Sequence, residues 1–139
     1  MKKGFTLVEL MIVIVVIGML AMVAVPKFAD LLASAREGGT KGHLGSLRSA
    51  VTIYYSQTEG IYPSDNLLSL VPLFINEIPV ARLPPYHGDS AEVHNALSTA
   101  TLTDFGGWAY NNVSSSPQWG SVFVNCLHKD SKGYPWTSH

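Results

Sequence analysis

One cysteine, Cys126, in 139 residues rules out an intramolecular disulfide. Any exported domain in this chain must therefore be held by packing and polar contacts, and Cys126 itself reads as a small buried hydrophobe. Charge is also scarce: charged residues make up 14% of the chain and the net charge is −1 at pH 7. No basic run offers a nucleic acid the phosphate contacts it needs, so nucleic acid is not the main partner. No P-loop, H-E-x-x-H, G-x-S-x-G, paired-cysteine or G-x-G-x-x-G motif is present. The chain therefore reads as a non-enzyme without a cofactor. His87, Asp89, Glu92 and His94 are the densest collection of metal-binding residue types. Their spacing matches no standard zinc site and they lie in a proline-flanked loop, so they read as solvated and no metal is assigned.

What the chain does have is a long apolar run near its start, MKKGFTLVELMIVIVVIGMLAMVAVPKF. As a helix, Phe5 to Val25 is about 31 Å long at ~1.5 Å per residue, which matches a hydrocarbon core of ~30 Å. A secretory signal peptide fits less well. The run exceeds the usual ~7–15 residues, it contains Glu9, and Ala21 and Ala24 do not form an A-x-A site. No cysteine follows the run, so lipoprotein processing has no acceptor. Glu9 is the anomaly, because an ionisable group at a bilayer centre costs on the order of 2.5–3.5 kcal/mol on insertion scales. It needs a partner or a route to water. Lys2 and Lys3 compete with Lys27, Arg36 and Lys41 for the cytoplasmic side, and the balance favours an N-in orientation.

The residues Lys2-Lys3-Gly4-Phe5-Thr6-Leu7-Val8-Glu9-Leu10 resemble the class III leader of type IV pilins and type II secretion pseudopilins. The resemblance implies prepilin peptidase cleavage after Gly4 and N-methylation of the new terminus at Phe5. It also implies a partner for Glu9: the ammonium of Phe5 on a neighbouring subunit, which would bring that subunit into register. Within the mature chain the same two groups lie one helical turn apart, close enough for opposite charges to interact. Gly18 and Pro26 fit the family as well. Proline removes a helix donor and clashes with the preceding turn, and glycine weakens the helix. The resemblance implies that the stretch between them can lose helical order in a filament.

Beyond Pro26, apolar residues recur at Phe28, Leu31, Leu32 and Ala35, and again at Leu44, Leu47, Val51, Tyr54 and Tyr55, a helical period. Gly38, Gly39, Gly42 and Gly45 disfavour helix by up to ~1 kcal/mol each, which makes a bend near Gly38 plausible. The period resumes in phase and no proline intervenes, so one helix is expected to about Gln57. Arg36, Lys41 and Arg48 read as its solvated face. A loop follows from Thr58, then a short helical turn around Leu67, Leu68 and Leu70. An irregular connection with brief strands, broken by Pro79, Pro84 and Pro85, comes next. Gly107–Asn111 and Ser121–Asn125 should pair as an antiparallel hairpin, with a third strand or extended tail around Lys132–Trp136. Trp108, Tyr110, Phe123 and Trp136 read as core or lateral-contact residues.

The expected fold is α+β and pilin-like: a long N-terminal spine helix packed against a small C-terminal antiparallel sheet. The expected segments are a leader at 1–4, a membrane-spanning and filament-core half at 5–25, a second helical half at 26–57, and a connecting loop with a small β-domain at 58–139. The resemblance implies an inner-membrane single-pass precursor, N-in and C-out, that becomes part of a periplasmic or cell-surface homo-oligomeric filament. Its further partners would be prepilin peptidase, an inner-membrane assembly platform, and minor pilins or pseudopilins. Pilus subunit and secretion pseudopilin stay open, as does a membrane-anchored, non-polymerising periplasmic binding module. Some relatives bind calcium through an acidic C-terminal loop and some pilins close that loop with a disulfide. Here the last third offers only Asp104 and Asp130 as acids, and Cys126 has no mate. That loop must be held in another way.

Overall fold

A computed structural model describes residues 4–139; Lys2 and Lys3 lie outside them. The chain divides into two units, Met1–Ala33 and Ser34–His139. One element, helix α1, is assigned continuously from Leu7 to Gln57. Both expected weak points, Gly18 and Pro26, are helical, as are the four glycines from Gly38 to Gly45.

In the first unit no described side chain is buried. Leu20 is 66% and Met22 79% exposed, on a helix long and apolar enough to cross a membrane.

The second unit has its own core. Leu44, Leu47 and Val51 from α1 pack with Leu67, Leu70, Leu83, Trp108, Tyr110 and Trp136. Tertiary bonds explain why the glycine-rich stretch stays helical. Thr40 Oγ1 donates to the Arg82 carbonyl and accepts from the Arg82 N–H, both at 2.8 Å. With Leu44 and Leu47 buried beside it, this attachment outweighs a propensity cost of up to ~1 kcal/mol per glycine.

The sheet has the order β1-β2-β3, with β1 Val93–Asn95, β2 Trp108–Tyr110 and β3 Val122–Val124. β2 and β3 form the expected hairpin, with Ala109 opposite Phe123. β1 pairs with β2 in parallel, so the sheet is mixed. The third strand thus comes from the proline-broken connection and not from the C-terminal tail. The tail holds only a bridge between Lys129 and Pro135, followed by a 3-10 turn at Trp136–Ser138. Pro135 has no N–H for a ladder, which limits the tail's pairing. A parallel neighbour needs a crossover of about a dozen residues, and the segment between β1 and β2 is of that length. Gly107 makes the approach feasible: it sits at φ +71°, and a Cβ there would come within 2.5 Å of the Glu92 carbonyl oxygen.

As the central strand, β2 is buried on both faces. Trp108 and Tyr110 enter the main core, while Ala109 turns to a smaller cluster with Ala96 and Leu102. Both large aromatics keep their polar atoms paired. Trp108 Nε1 donates to the Pro79 carbonyl, and the Tyr110 hydroxyl donates to the Pro63 carbonyl at 2.8 Å. Burial of the Tyr110 phenol raises its pKa well above the ordinary value, with the Asp65 charge adding to the shift. Of the four aromatics expected in the core or at lateral contacts, Trp108, Tyr110 and Trp136 are buried and Phe123 is half-buried.

Candidate functional site

The first candidate site is the start of α1. Gly4 and Phe5 precede the helix, exposed and outside any assigned element. Thr6 and Glu9 then form a reciprocal cap. The Glu9 N–H donates to Thr6 Oγ1 at 3.2 Å, while Glu9 Oε2 accepts from both the Thr6 N–H and the Thr6 hydroxyl at 2.8 Å. This is a capping box, which satisfies two N–H groups that a helix start otherwise leaves unpaired. The cost of Glu9 in an apolar segment is therefore met partly within its own first turn, where the helix dipole also favours an anion. Among the described residues, the hydrogen bonds to this carboxylate all end on Oε2. The motif Thr-x-x-Glu ahead of an apolar run was legible in the sequence, and Thr6 is the residue that reading the sequence for charge alone leaves out.

Along the rest of the segment, Val8, Ile12, Val15, Val16 and Met19 share one wholly apolar face of the helix. Gly18 and Pro26 lie in the same continuous helix, and open space surrounds the position a Cβ on Gly18 would take.

The second region of interest is the C-terminal loop, which has no disulfide. Lys41 and Arg48, expected on a solvated face, instead bind it. Lys41 Nζ pairs with the wholly buried Asp130 carboxylate. Arg48 donates to the Val122 carbonyl of edge strand β3 at 2.9 and 3.1 Å and to the His139 carbonyl at 2.9 Å. Helical periodicity placed both residues off the apolar stripe correctly. It could not show that the chain returns to them 74 and 89 positions later. Glu37, also buried, accepts from the Ser131 N–H at 3.0 Å and from its hydroxyl. Asp130 accepts from the N–H groups of Lys132 at 3.0 Å and Tyr134 at 2.8 Å. Burial alone would raise the Asp130 pKa, but Lys41 and these two N–H groups outweigh it and hold the carboxyl at about 2.

The four loop residues considered as metal donors do not come together. Asp89 lies 3.2 Å from Arg82, and His94 sits 3.6 Å from Glu92. His87 points elsewhere, into a group with Asp104, Cys126 and His128.

The comparisons with known proteins agree with the geometry of the N-terminal segment. Residues 1–25 match the prokaryotic N-terminal methylation motif family. The chain is 36% identical over 105 residues to a fimbrial protein, EcpC, of Eikenella corrodens, covering 76% of this chain and 65% of that protein. It is 43% identical over 67 residues to the type IV narrow pilus major component PilA5 of Thermus thermophilus, covering 48% and 58%. To the type IV major pilin protein PilE of Neisseria gonorrhoeae it is 47% identical over 66 residues, covering 48% and 39%. The chain thus spans less than two thirds of the length of each of these relatives. No solved structure matches it. A methylation motif leading into one long apolar helix, followed by a small sheet domain, defines a pilin-like protein. These relatives are type IV pilins and fimbrial proteins, and the chain is similar to them over the shares given.

Proposed function

We propose that this chain is a structural subunit of a type IV pilus filament, made as a membrane precursor and assembled through its apolar N-terminal helix. The observation that carries this reading is the juxtaposition at residues 4–9. An exposed glycine and phenylalanine ahead of the helix lead into a capped carboxylate in its otherwise apolar first half. In this reading the precursor sits N-in and C-out in the inner membrane. Prepilin peptidase cuts after Gly4 and methylates Phe5, and an assembly platform with minor pilins adds the subunit to the fibre. Glu9 is already tied through Oε2 to Thr6, and its Oε1 takes the Phe5 ammonium of a neighbouring subunit. The capping box then positions a carboxylate that would otherwise sample several rotamers, so less freedom is lost when the pair forms.

Lipid chains and a helix bundle are similarly apolar, so leaving the bilayer gains little per residue. Association comes from packing contacts and from the pair at Glu9. Gly18 to Pro26 is the segment of the mature chain that could unwind within a fibre. The relatives are named as pilus and fimbrial proteins, which supports a pilus over a secretion pseudopilus. A non-polymerising anchored module would need the leader and the helix but not Glu9.

Mass spectrometry of fibres sheared from cells, made in parallel from the parent and from Glu9→Ala, tests this reading. The expected parent chain begins at N-methyl-Phe5, and Glu9→Ala inserts into the membrane while fibre yield collapses. A parent chain retaining Met1, or fibres of normal number and length from Glu9→Ala, contradicts the proposal.

A further inference from the structure

Four side chains from three stretches of the chain meet at the end of the sheet where β1 and β2 begin and β3 ends. They are His87 from the connection before β1, Asp104 from the turn before β2, Cys126 just past β3, and His128 from the C-terminal loop. One nitrogen, oxygen or sulfur from each lies within 4.8 Å of all the others. His87 Nε2 is 3.1 Å from Asp104 Oδ1, His128 Nδ1 is 3.4 Å from the same oxygen, and Cys126 Sγ is 3.7 Å from His128 Nδ1. Zinc binds nitrogen and oxygen at about 2.0–2.2 Å and sulfur at about 2.3 Å in a tetrahedron, which sets its donor atoms roughly 3.2–3.7 Å apart. The separations of 3.4 and 3.7 Å fall within that range, and the 3.1 Å between His87 and Asp104 is a tenth of an ångström short of it.

The surroundings hold the donors in place. Asp104 sits in the left-handed region at φ +60°, and its Oδ1 accepts from the Leu127 N–H at 2.8 Å. The buried Asn125 side chain accepts from the N–H groups of Thr103 at 3.0 Å and Asp104 at 3.2 Å, and donates to the Gly106 carbonyl at 3.1 Å. It thereby clasps the turn that carries Asp104. The His128 ring is stacked on Tyr86, with centroids 4.0 Å apart and planes 8° from parallel. At Gly106, with φ +81°, an added Cβ would fall 3.0 Å from His87 Cβ and crowd it. Supports of this kind orient donors around metals. Cys126 is fully buried and His128 is 38% exposed, which gives the group a closed floor and an open side.

We infer that His87, Asp104, Cys126 and His128 form a zinc site that cross-links the C-terminal loop to the sheet domain. A thiolate and a carboxylate cancel the two charges of the ion, and two neutral imidazoles complete the tetrahedron. Binding displaces the Cys126 thiol proton to solvent as the sulfur–zinc bond forms; no electrons are transferred. The site supplies the covalent-like closure that a chain with one cysteine cannot obtain from a disulfide.

Purified full-length chain in detergent, stripped with a chelator and titrated with Co²⁺ and then Zn²⁺, tests the assignment. The site predicts one Co²⁺ per chain, with the visible bands of a tetrahedral centre and a near-ultraviolet thiolate-to-cobalt band, both lost when Zn²⁺ is added. Cys126→Ser removes the thiolate band, and His87→Ala weakens binding by at least about 100-fold, the upper end for loss of a supporting group alone. Asn125 is the positioning residue, and Asn125→Ala weakens binding by about 10–100-fold while the thiolate band persists. Absence of stoichiometric binding, octahedral cobalt spectra, or an unchanged thiolate band in Cys126→Ser overturns the assignment and leaves a hydrogen-bonded His–Asp–His cluster. The experiment reads metal binding without filaments, so its outcome is independent of whether the chain polymerises.

Discussion

Leu47 and Leu20 lie on the same helix, α1, yet Leu47 is fully buried and Leu20 is 66% exposed. The contrast extends to everything around them. In Ser34–His139, a core of apolar side chains is buried within the chain, and the buried polar groups of Glu37, Thr40, Asn125 and Asp130 are hydrogen-bonded. In the first unit, a wholly apolar face and its flanks have no described partner beyond the helix itself. A water-soluble protein rarely leaves so much contiguous apolar surface open. The second unit is specified by contacts within the chain. The first is specified by an environment the chain does not provide, first lipid and then, in the proposed function, other copies.

The difference is sharpest under substitutions that remove apolar contact from each unit. Trp108→Ala should lower the stability of the second unit by about 3–5 kcal/mol, because a fully buried ring and its bond to Pro79 are lost together. Val16→Ala, on the apolar face of the first unit, should leave that unfolding midpoint unchanged and reduce fibre yield. Denaturant titration of the full chain in detergent, followed by tryptophan near-ultraviolet circular dichroism, measures both. A shift of the midpoint by Val16→Ala would join two regions that the account treats as separately specified.

A smaller effect is expected from the polar attachment of the loop. Asp130→Asn should cost about 1.5–3 kcal/mol at pH 7, the usual range for hydrogen bonds to a charged group. Its sign with pH follows from the folded pKa of about 2, below an ordinary carboxylate value of about 4. The ionised group contributes in full above about pH 4, and its contribution is lost as pH falls from about 4 to 2. The stability gap between parent and Asp130→Asn should therefore close across that window. A gap that is constant from pH 7 to pH 2 would show that Asp130 acts by shape alone.

How much of this could be read in advance depended on the range of the interactions. Helix α1 follows from a local period, the hairpin from two β-prone runs, and the leader from contiguous residues. The capping box was local as well and visible as Thr6-x-x-Glu9. β1 was legible only as one of the brief strands expected in the proline-broken connection; its parallel pairing was not, because it depends on Gly107 letting two backbones approach. The second unit's polar attachments were also out of reach, because Lys41 and Asp130 are 89 positions apart. The His87 group draws on three stretches of the chain whose spacing resembles no metal motif, and only the folded chain brings them together.

The central claim is that the first unit gains its burial from neighbouring copies, and its native methionines can report on it. Met11, Met19 and Met22 are 55%, 66% and 79% exposed in the single chain, and Tyr134 in the second unit is 60% exposed. Hydroxyl-radical footprinting of detergent-free sheared fibres compares them directly. The account predicts that Met11, Met19 and Met22 are protected from oxidation while Tyr134 remains reactive. Methionines that oxidise in the fibre as fast as in an exposed helix would contradict it.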